Sequence, residues 1–284
     1  VSALPPLDTA PLFRPLLGEL LALLRALGPA DWERPTLAGR WRVHDVAVHL
    51  LDGDLRKLSA YRDGHLVPPD APIASERDLA RFVDGINAAG VAWGRRVSPR
   101  LVTELLAFTG DQVAELVAAL PPHDRSLFPV SWAGEAESTN WMDTAREYTE
   151  RWHHQMQLRD AVGAPPVLLA PRWLAPLLDA SVRALPHGYA AVDAPDGTAV
   201  AFEVAGDAHG APYEAAWTLA RAGGRWALRV GRAESRAARV RATPDAAWRL
   251  LYNALPDPAR APGVTVEGDA SLAAPLLRTR SVIV

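Results

Sequence analysis

The sequence predicts a two-part fold of α plus α+β type: an up-and-down helical bundle over residues 1–166 and a smaller α+β domain over residues 167–284. Three observations predict it. Before residue 166, four or five stretches with apolar residues three and four apart follow one another through short connections, which is the pattern of a bundle. After residue 166 the texture changes to short alternating runs broken by turn signals. Apolar residues make up 49% of the 284-residue chain, ample for a sizeable core.

The first helix reads over residues 9–28, with leucines at helical spacing, Thr9 or Asp8 available as a cap, and Gly28–Pro29 as the stop. "RPTLAGRW" connects it to a second helix over residues 43–62, stopped by Gly64 and Pro68–Pro69. Residues 76–94 form a third amphipathic candidate, and residues 98–120 a fourth that ends at Pro121–Pro122. "NWMDTAREYTERWHHQMQLRDAVG" reads as a long helix over residues 140–162, closed by Gly163 and Pro165–Pro166. "PRWLAPLLDASVRAL" is one more helix. The runs "AVAFEVAGD", "YEAAWTLARAGGRWALRVG" and "AARVRATP" read as strands, and Gly223–Gly224 between Trp217 and Trp226 marks a hairpin. "TPDAAWRLLYNAL" is a helix capped by Thr243 with Pro244 at its first position. "GVTVEGDASLAAPLLRTRSVIV" reads strand, turn, helix, tail.

Composition narrows the function. Thirty basic and 33 acidic residues are mixed along the chain for a formal charge of −3, and no basic block suggests a nucleic-acid or anionic-membrane partner. The chain has no cysteine, which excludes disulfides, cysteine-ligated zinc and a cysteine nucleophile. Thiol chemistry here would need a thiol from outside. The lack of cysteine fits a reducing cytoplasm, and the opening "VSALPPLDTAPLF" lacks the basic and apolar regions of a secretory signal, so a cytoplasmic location is expected. The longest apolar stretch, "LLGELLALLRALG", is interrupted by Glu19 and Arg25 and is too short to span a bilayer. Phosphate-binding glycine loops and a G-x-S-x-G elbow are absent, "AGGRW" being a hairpin turn.

The chemistry-bearing stretch is "ERWHHQMQLRD", residues 150–160. Glu150 and His154 are four apart, so on a helix they share a face. At about 100° per residue that face also carries Asp143, Glu147 and Gln157, while Trp141, Ala145, Tyr148, Trp152 and Met156 form the packing face. His153 points away from His154. A bare E-x-x-x-H pair is more often a solvated polar face than a metal site, because two ligands do not hold a transition metal firmly. In the second helix the apolar arc is Ala47, Leu51, Leu55 and Leu58. His49 lies roughly opposite, with Asp45, Asp52, Gly53 and Arg56. Facing polar stripes can build a metal site in a bundle, but periodicity does not decide whether these two stripes meet.

The stretch "TLAGRWRVHDVAVHLLDGD" resembles the first metal-histidine segment of the DinB-like, mycothiol-dependent maleylpyruvate isomerase family, with Trp41 followed by Asp45-Val46-Ala47-Val48-His49-Leu50. "REYTERWHHQMQLRDAVGAP" resembles its second signature, Glu150 and His154 followed by Arg159-Asp160-Ala161. "VRATPDAAWRLLYNAL" and "VTVEGDASLAAPLL" resemble its sterol-carrier-like C-terminal domain. The resemblance covers most of the chain in motif order. It implies a DinB-like four-helix bundle and, carried over residue by residue, a metal held by His49, Glu150 and His154. His44 and His153 match no ligand position.

Two imidazoles and one carboxylate suit zinc with an open position for water or substrate, though nickel, iron and manganese also use such sites. The implied activity uses an external low-molecular-weight thiol, mycothiol or bacillithiol, on a small-molecule substrate. Bound at the metal, the thiol would ionise at neutral pH and add to a cis double bond, as in a maleylpyruvate-type isomerase, or be transferred to an electrophile. Alternatives are a hydrolase in which the metal activates water, or a non-catalytic binding protein. Arg56 shares the sector of His49 and is the local candidate for an anionic group. Asp52 could orient the His49 imidazole or be a plain helix-surface carboxylate. Arg159 sits about 140° around the helix from His154 and reads as a structural salt bridge. Arg225, Arg229, Arg232, Arg236 and Arg239 read as a solvated strand face. The Ala/Arg/Pro-rich composition is that of a GC-rich bacterial genome.

Overall fold

The computed structural model describes residues 2–282, so the last two residues of the expected tail lie outside the described residues. The chain divides into two compact units. One is Asp8–Phe128 with Ser138–Pro166. The other gathers the described residues up to Leu7, Pro129–Glu137 and the chain from Val167 onward.

The helical unit contains α1 (Phe13–Ala26), α2 (Val43–Lys57), α3 (Glu76–Gly94), α4 (Pro99–Ala119) and α5 (Asn140–Val162). α4 packs on α1 and α2, α5 packs on both of those helices, and α3 lies against α2. The core holds Leu20 and Leu24 of α1, Val46, Ala47 and Leu51 of α2, Val102 and Leu106 of α4, and Leu158 of α5. Burying a side chain of this size contributes about 1.5–3 kcal/mol.

Local chemistry sets the ends. Ser75 and Ser98 cap α3 and α4 by accepting from Asp78 N and Leu101 N. α5 ends at Gly163, whose φ of +68° gives the left-handed closing residue that glycine adopts freely. α2 begins where Asp45 accepts from Arg42 N at 3.2 Å, and the same carboxylate holds Arg95 just past the end of α3 at 2.8 Å. α3 comes close to α2 at Gly94, where a β-carbon would overlap the Val48 side chain.

Three details differ from the sequence reading. Thr9 makes no capping hydrogen bond. The first helix instead opens through a 3-10 turn at Ala10–Leu12 with Pro11 inside it. The second helix does reach Arg62, but its last turn, Leu58–Arg62, is a π-turn, with Asp63 N bonded to Leu58 O. Leu55, assigned to the apolar arc, is 40% exposed, and the buried side of α2 runs through Val43, Val46, Val48 and Leu50.

The second unit contains α6 (Pro171–Ser181), α7 (Leu185–Gly188), β1 (Ala199–Asp207), β2 (Pro212–Ala222), β3 (Arg225–Val230), β4 (Ala238–Ala242), α8 (Pro244–Leu251), β5 (Val264–Gly268) and α9 (Ala270–Arg278). The sheet order is β3-β2-β1-β4-β5. β1 and β4 run parallel and the other pairs antiparallel. Phe202 of β1 stacks on its cross-strand partner Trp217 at 5.8 Å. α8 and α9 pack on the sheet at β1 and β4.

The Gly223–Gly224 hairpin is present with φ of +57° and +74°, the two positive angles a type I′ turn demands. The Asp196 carboxylate accepts from both glycine amides. Thr243 caps α8 by accepting from Ala246 N. That helix stops at Leu251 rather than near residue 255, because Asn253 takes a left-handed φ of +56°. No helix among the described residues is long and apolar enough to cross a membrane.

Candidate metal centre

The polar stripes of α2 and α5 meet. His49, Glu150 and His154 each offer a ligand atom, and no two of these atoms are more than 4.8 Å apart. The His49 and His154 rings meet edge-to-face at 4.7 Å between centroids. His154 Nε2 is 3.5 Å from Glu150 Oε2. On the other side of the ring, Gln157 Oε1 accepts from His154 Nδ1 at 2.9 Å. A carbonyl oxygen can only accept, so that bond puts a proton on Nδ1 and turns Nε2 toward Glu150.

The sequence alone read this face of α5 as one that is more often solvated. It is instead largely interior: Asp143, Glu147, His154 and Gln157 are buried and Glu150 is half-buried. Burial of charge requires partners, and α2 supplies them. Lys57 pairs with Asp143 and Asp54 with Arg151, while within α5 Arg146 and Arg151 reach Glu147. Glu150 stands apart. Its ion-pair partner among the described residues is His154, with no Lys or Arg within bridging distance.

The donor set fits a divalent cation on three further counts. His49 Nδ1 is buried without a hydrogen-bond partner. Burial pushes the His49 imidazole well below its ordinary pKa, and the neighbouring His154 adds to the effect, so the ring is neutral and able to donate a lone pair. For Glu150, burial pulls the carboxyl upward. The imidazoles around it, His154 first, outweigh that pull and hold it below the usual carboxylate range. It is therefore an anion at neutral pH. Ligand bonds to zinc are about 2.0–2.2 Å, which sets tetrahedral ligand atoms about 3.4 Å apart. Small side-chain rotations bring three groups already this near one another to that spacing.

His153 stays outside the set. Its Nδ1 bonds the Thr149 carbonyl at 2.9 Å, and burial with the neighbouring His154 lowers its pKa to about 3. His44 bonds the Val97 carbonyl at 2.9 Å. Asp52 makes no hydrogen bond to His49. It pairs with Arg56 at 2.8 Å, and Arg56 also donates to Asn87 of α3 at 2.9 Å. Arg159 bonds Glu19 and the Pro165 carbonyl, a structural anchorage.

Within the second unit, Arg232 and Arg239 are tied to Glu203 and to Glu214 and Glu267 respectively. Trp41, quoted above as part of the motif around His49, lies against both candidate ligand rings, with centroids 4.9 Å from His49 and 6.4 Å from His154. The signal that could have found it is its place eight residues before His49, at the turn that starts α2.

The family model described as the mycothiol maleylpyruvate isomerase N-terminal domain matches residues 13–159, just over half of the chain. Two solved structures resemble the chain over nearly its whole length. One is the crystal structure of the mycothiol-dependent maleylpyruvate isomerase, with a TM-score of 0.56, 12% identity, and coverage of 95% of this chain and 98% of that chain. The other is a histidine-to-alanine mutant of that isomerase with the same values. At this identity the likeness is one of fold, and it agrees with the α plus α+β architecture. Among curated proteins none matches the sequence.

Proposed function

Because the chain belongs to the mycothiol maleylpyruvate isomerase N-terminal domain family, we propose that it is a metal- and thiol-dependent enzyme acting on a small electrophile, either as a cis–trans isomerase or as a thiol S-transferase. The observation that carries this reading is the convergence of His49, Glu150 and His154 from two helices onto one point. We assign these three residues as ligands of one divalent ion, zinc in the first instance, with mycothiol or bacillithiol as the thiol. When bound, such an ion supplies the positive charge that lowers a thiol's pKa and gives a thiolate at neutral pH.

The chain's own residues do the rest. His154, fixed by Gln157, turns Nε2 toward the site, His49 presents a neutral ring, and Glu150 would offset part of the ion's charge. Trp41 lays an apolar ring over the two imidazoles and keeps water from that side. Arg56, braced by Asp52 and Asn87, is close enough to His49 to depress its pKa. We assign it to an anionic group of the substrate or thiol, with Asp52 holding it in place. In the isomerase reading the thiolate sulfur bonds one carbon of an activated cis double bond, and the pair of π electrons moves to the neighbouring acceptor. The former double bond rotates, and expulsion of the same thiolate restores it as trans, with no net change in protons or electrons. In the transferase reading the sulfur–carbon bond is kept, and either the neighbouring carbon takes a proton from solvent, in an addition, or a leaving group departs with its bonding electrons, in a substitution.

The test is metal content and turnover of the wild type and His49→Ala with a panel of thiols, maleylpyruvate and a simple electrophile. The wild type is expected to hold about one ion per chain and to turn over only with thiol. His49→Ala is expected to lose both while keeping its circular dichroism spectrum. Turnover without thiol would sink the proposal and point to water as the nucleophile. Equal activity of His49→Ala and wild type would remove the metal from the chemistry.

A further inference from the structure

The buried ion pairs of the helical unit form one continuous knot between the same two helices that carry the candidate ligands. Lys57 Nζ reaches Asp143 Oδ2 at 2.5 Å, and Tyr61 donates to the same oxygen at 2.6 Å. Arg146 donates to Asp143 Oδ1 at 2.8 Å through Nη2 and at 3.1 Å through Nε. It also lies 3.4 Å from Glu147. Glu147 accepts from Arg151 at 3.2 Å, and Arg151 reaches Asp54 of α2 at 2.6 Å. Thr109 of α4 closes the chain by donating to Asp54 at 2.7 Å. Asp54 and Asp143 are fully buried and Lys57 is 5% exposed. Lys57, Arg146 and Arg151 balance Asp54, Asp143 and Glu147, so the knot is neutral.

The pairings form a ladder. Lys57 meets Asp143, Asp54 meets Arg151, and His49 meets Glu150 and His154. Descending α2 therefore climbs α5, and the candidate metal site is the last rung.

We infer that this knot is a positioning device for the metal site. It fixes the register of α5 on α2, so that His49 stands opposite Glu150 and His154. By engaging Asp54, Asp143 and Glu147, it leaves Glu150 in ion-pair contact with His154 and turned to the candidate ion. Stability is a weak reason for such a knot, since buried ion pairs are often matched or bettered by apolar packing, and setting register is their best-attested use. A slip of one residue along a helix moves a side chain about 1.5 Å and turns it about 100°. Ligand bonds of about 2.0–2.2 Å do not survive that displacement, and a slip would break the Lys57–Asp143 and Arg151–Asp54 rungs together. The inference rests on the metal reading above.

The test measures zinc affinity of the folded protein by competition with a chromophoric chelator, and the visible bands of the cobalt-loaded protein. It compares wild type, Lys57→Met and Thr109→Val, with circular dichroism and thermal melting in parallel. Lys57→Met is expected to stay folded at the assay temperature, to lose about tenfold in zinc affinity, or about 1.4 kcal/mol, and to shift the cobalt bands. Thr109→Val, which keeps the side-chain volume, is expected to show a smaller change in the same direction. A merely structural knot would lower the melting temperature and leave both metal readouts alone. Wild-type zinc affinity and cobalt bands in the folded variants would therefore overturn the inference. If Lys57→Met does not fold, Thr109→Val decides by the same readouts. A wild type that binds neither metal overturns the metal reading itself, which is a different result from a wild type and variants that bind equally.

Discussion

Gln157→Leu is the sharpest perturbation of the candidate centre, because Gln157 touches a ligand without being one. Its Oε1 accepts from His154 Nδ1 at 2.9 Å, and both residues are buried. Leucine has nearly the same volume and no acceptor, so the change leaves a buried N–H without a partner, which costs about 1–3 kcal/mol in the folded state. It also frees the imidazole to rotate or to move its proton to Nε2, the atom that faces Glu150. Losing the outer hydrogen bond of a ligating histidine lowers metal affinity about 10–100-fold, or about 1.4–2.8 kcal/mol at 1.4 kcal/mol per tenfold. The assay is a chelator-competition titration with zinc at neutral pH on protein shown to be folded by circular dichroism. Gln157→Glu keeps an acceptor in place and should recover most of the affinity. Wild-type affinity in Gln157→Leu would refute the reasoning, since it would mean that His154 is held by packing alone or is not a ligand.

The remaining predictions concern stability. Burial pulls the Asp143 carboxyl upward, but Arg146, Lys57 and the hydrogen bonds from Lys57 and Tyr61 outweigh it, so its folded pKa lies below the usual carboxylate range. A depressed folded pKa contributes stability that is present above the unfolded value and is lost as pH falls through the folded one. Denaturant titrations of wild type should therefore weaken below about pH 4. Asp143→Asn should be less stable at pH 7 and show a flatter acid limb, and parallel acid limbs would show that the Asp143 network does not set the pH dependence. Gly94→Ala should destabilise by about 1–3 kcal/mol, the usual cost of overpacking, because its β-carbon would press on Val48. Gly85→Ala, on the exposed side of the same helix with open space around it, should stabilise by about 0.5–1 kcal/mol. Thermal melts that rank the two alanines the other way would contradict the close approach of α3 to α2.

Much of the fold was legible because its signals are local. The leucine spacing of α1, the serines before α3 and α4, the threonine–proline start of α8 and the double-glycine hairpin each act through neighbours a few residues away. The misreadings follow from what local pattern leaves out. Thr9 has the chemistry of a cap, but Pro11 follows it and the chain enters the helix through a tighter turn. The polar face of α5 matched a solvated surface in composition, and it is buried because Lys57 and Asp54 wait for it on another helix. Pairing of that kind depends on residues 86 positions apart, beyond any helical period. The same limit applied to the site. Spacing joined Glu150 to His154 but turned His153 away from His154, whereas the two rings lie 4.0 Å apart, and bringing His49 alongside took the family resemblance. The role of Trp41 and the neutral knot behind the ligands came only with the packed helices.

The π-turn at Leu58–Arg62 gives the second helix one residue of slack. A π-turn inserts a residue into a turn without ending the helix, and here it lies between Lys57 and Tyr61, both of which reach Asp143. Winding the same residues as α-helix, without the wider turn, would swing the Tyr61 position around the axis, away from a carboxylate it now shares with the lysine. The extra residue thus works as a shim: it lets one end of α2 grip α5 twice at a single carboxylate while the rest of the helix keeps an unbroken α winding back to His49.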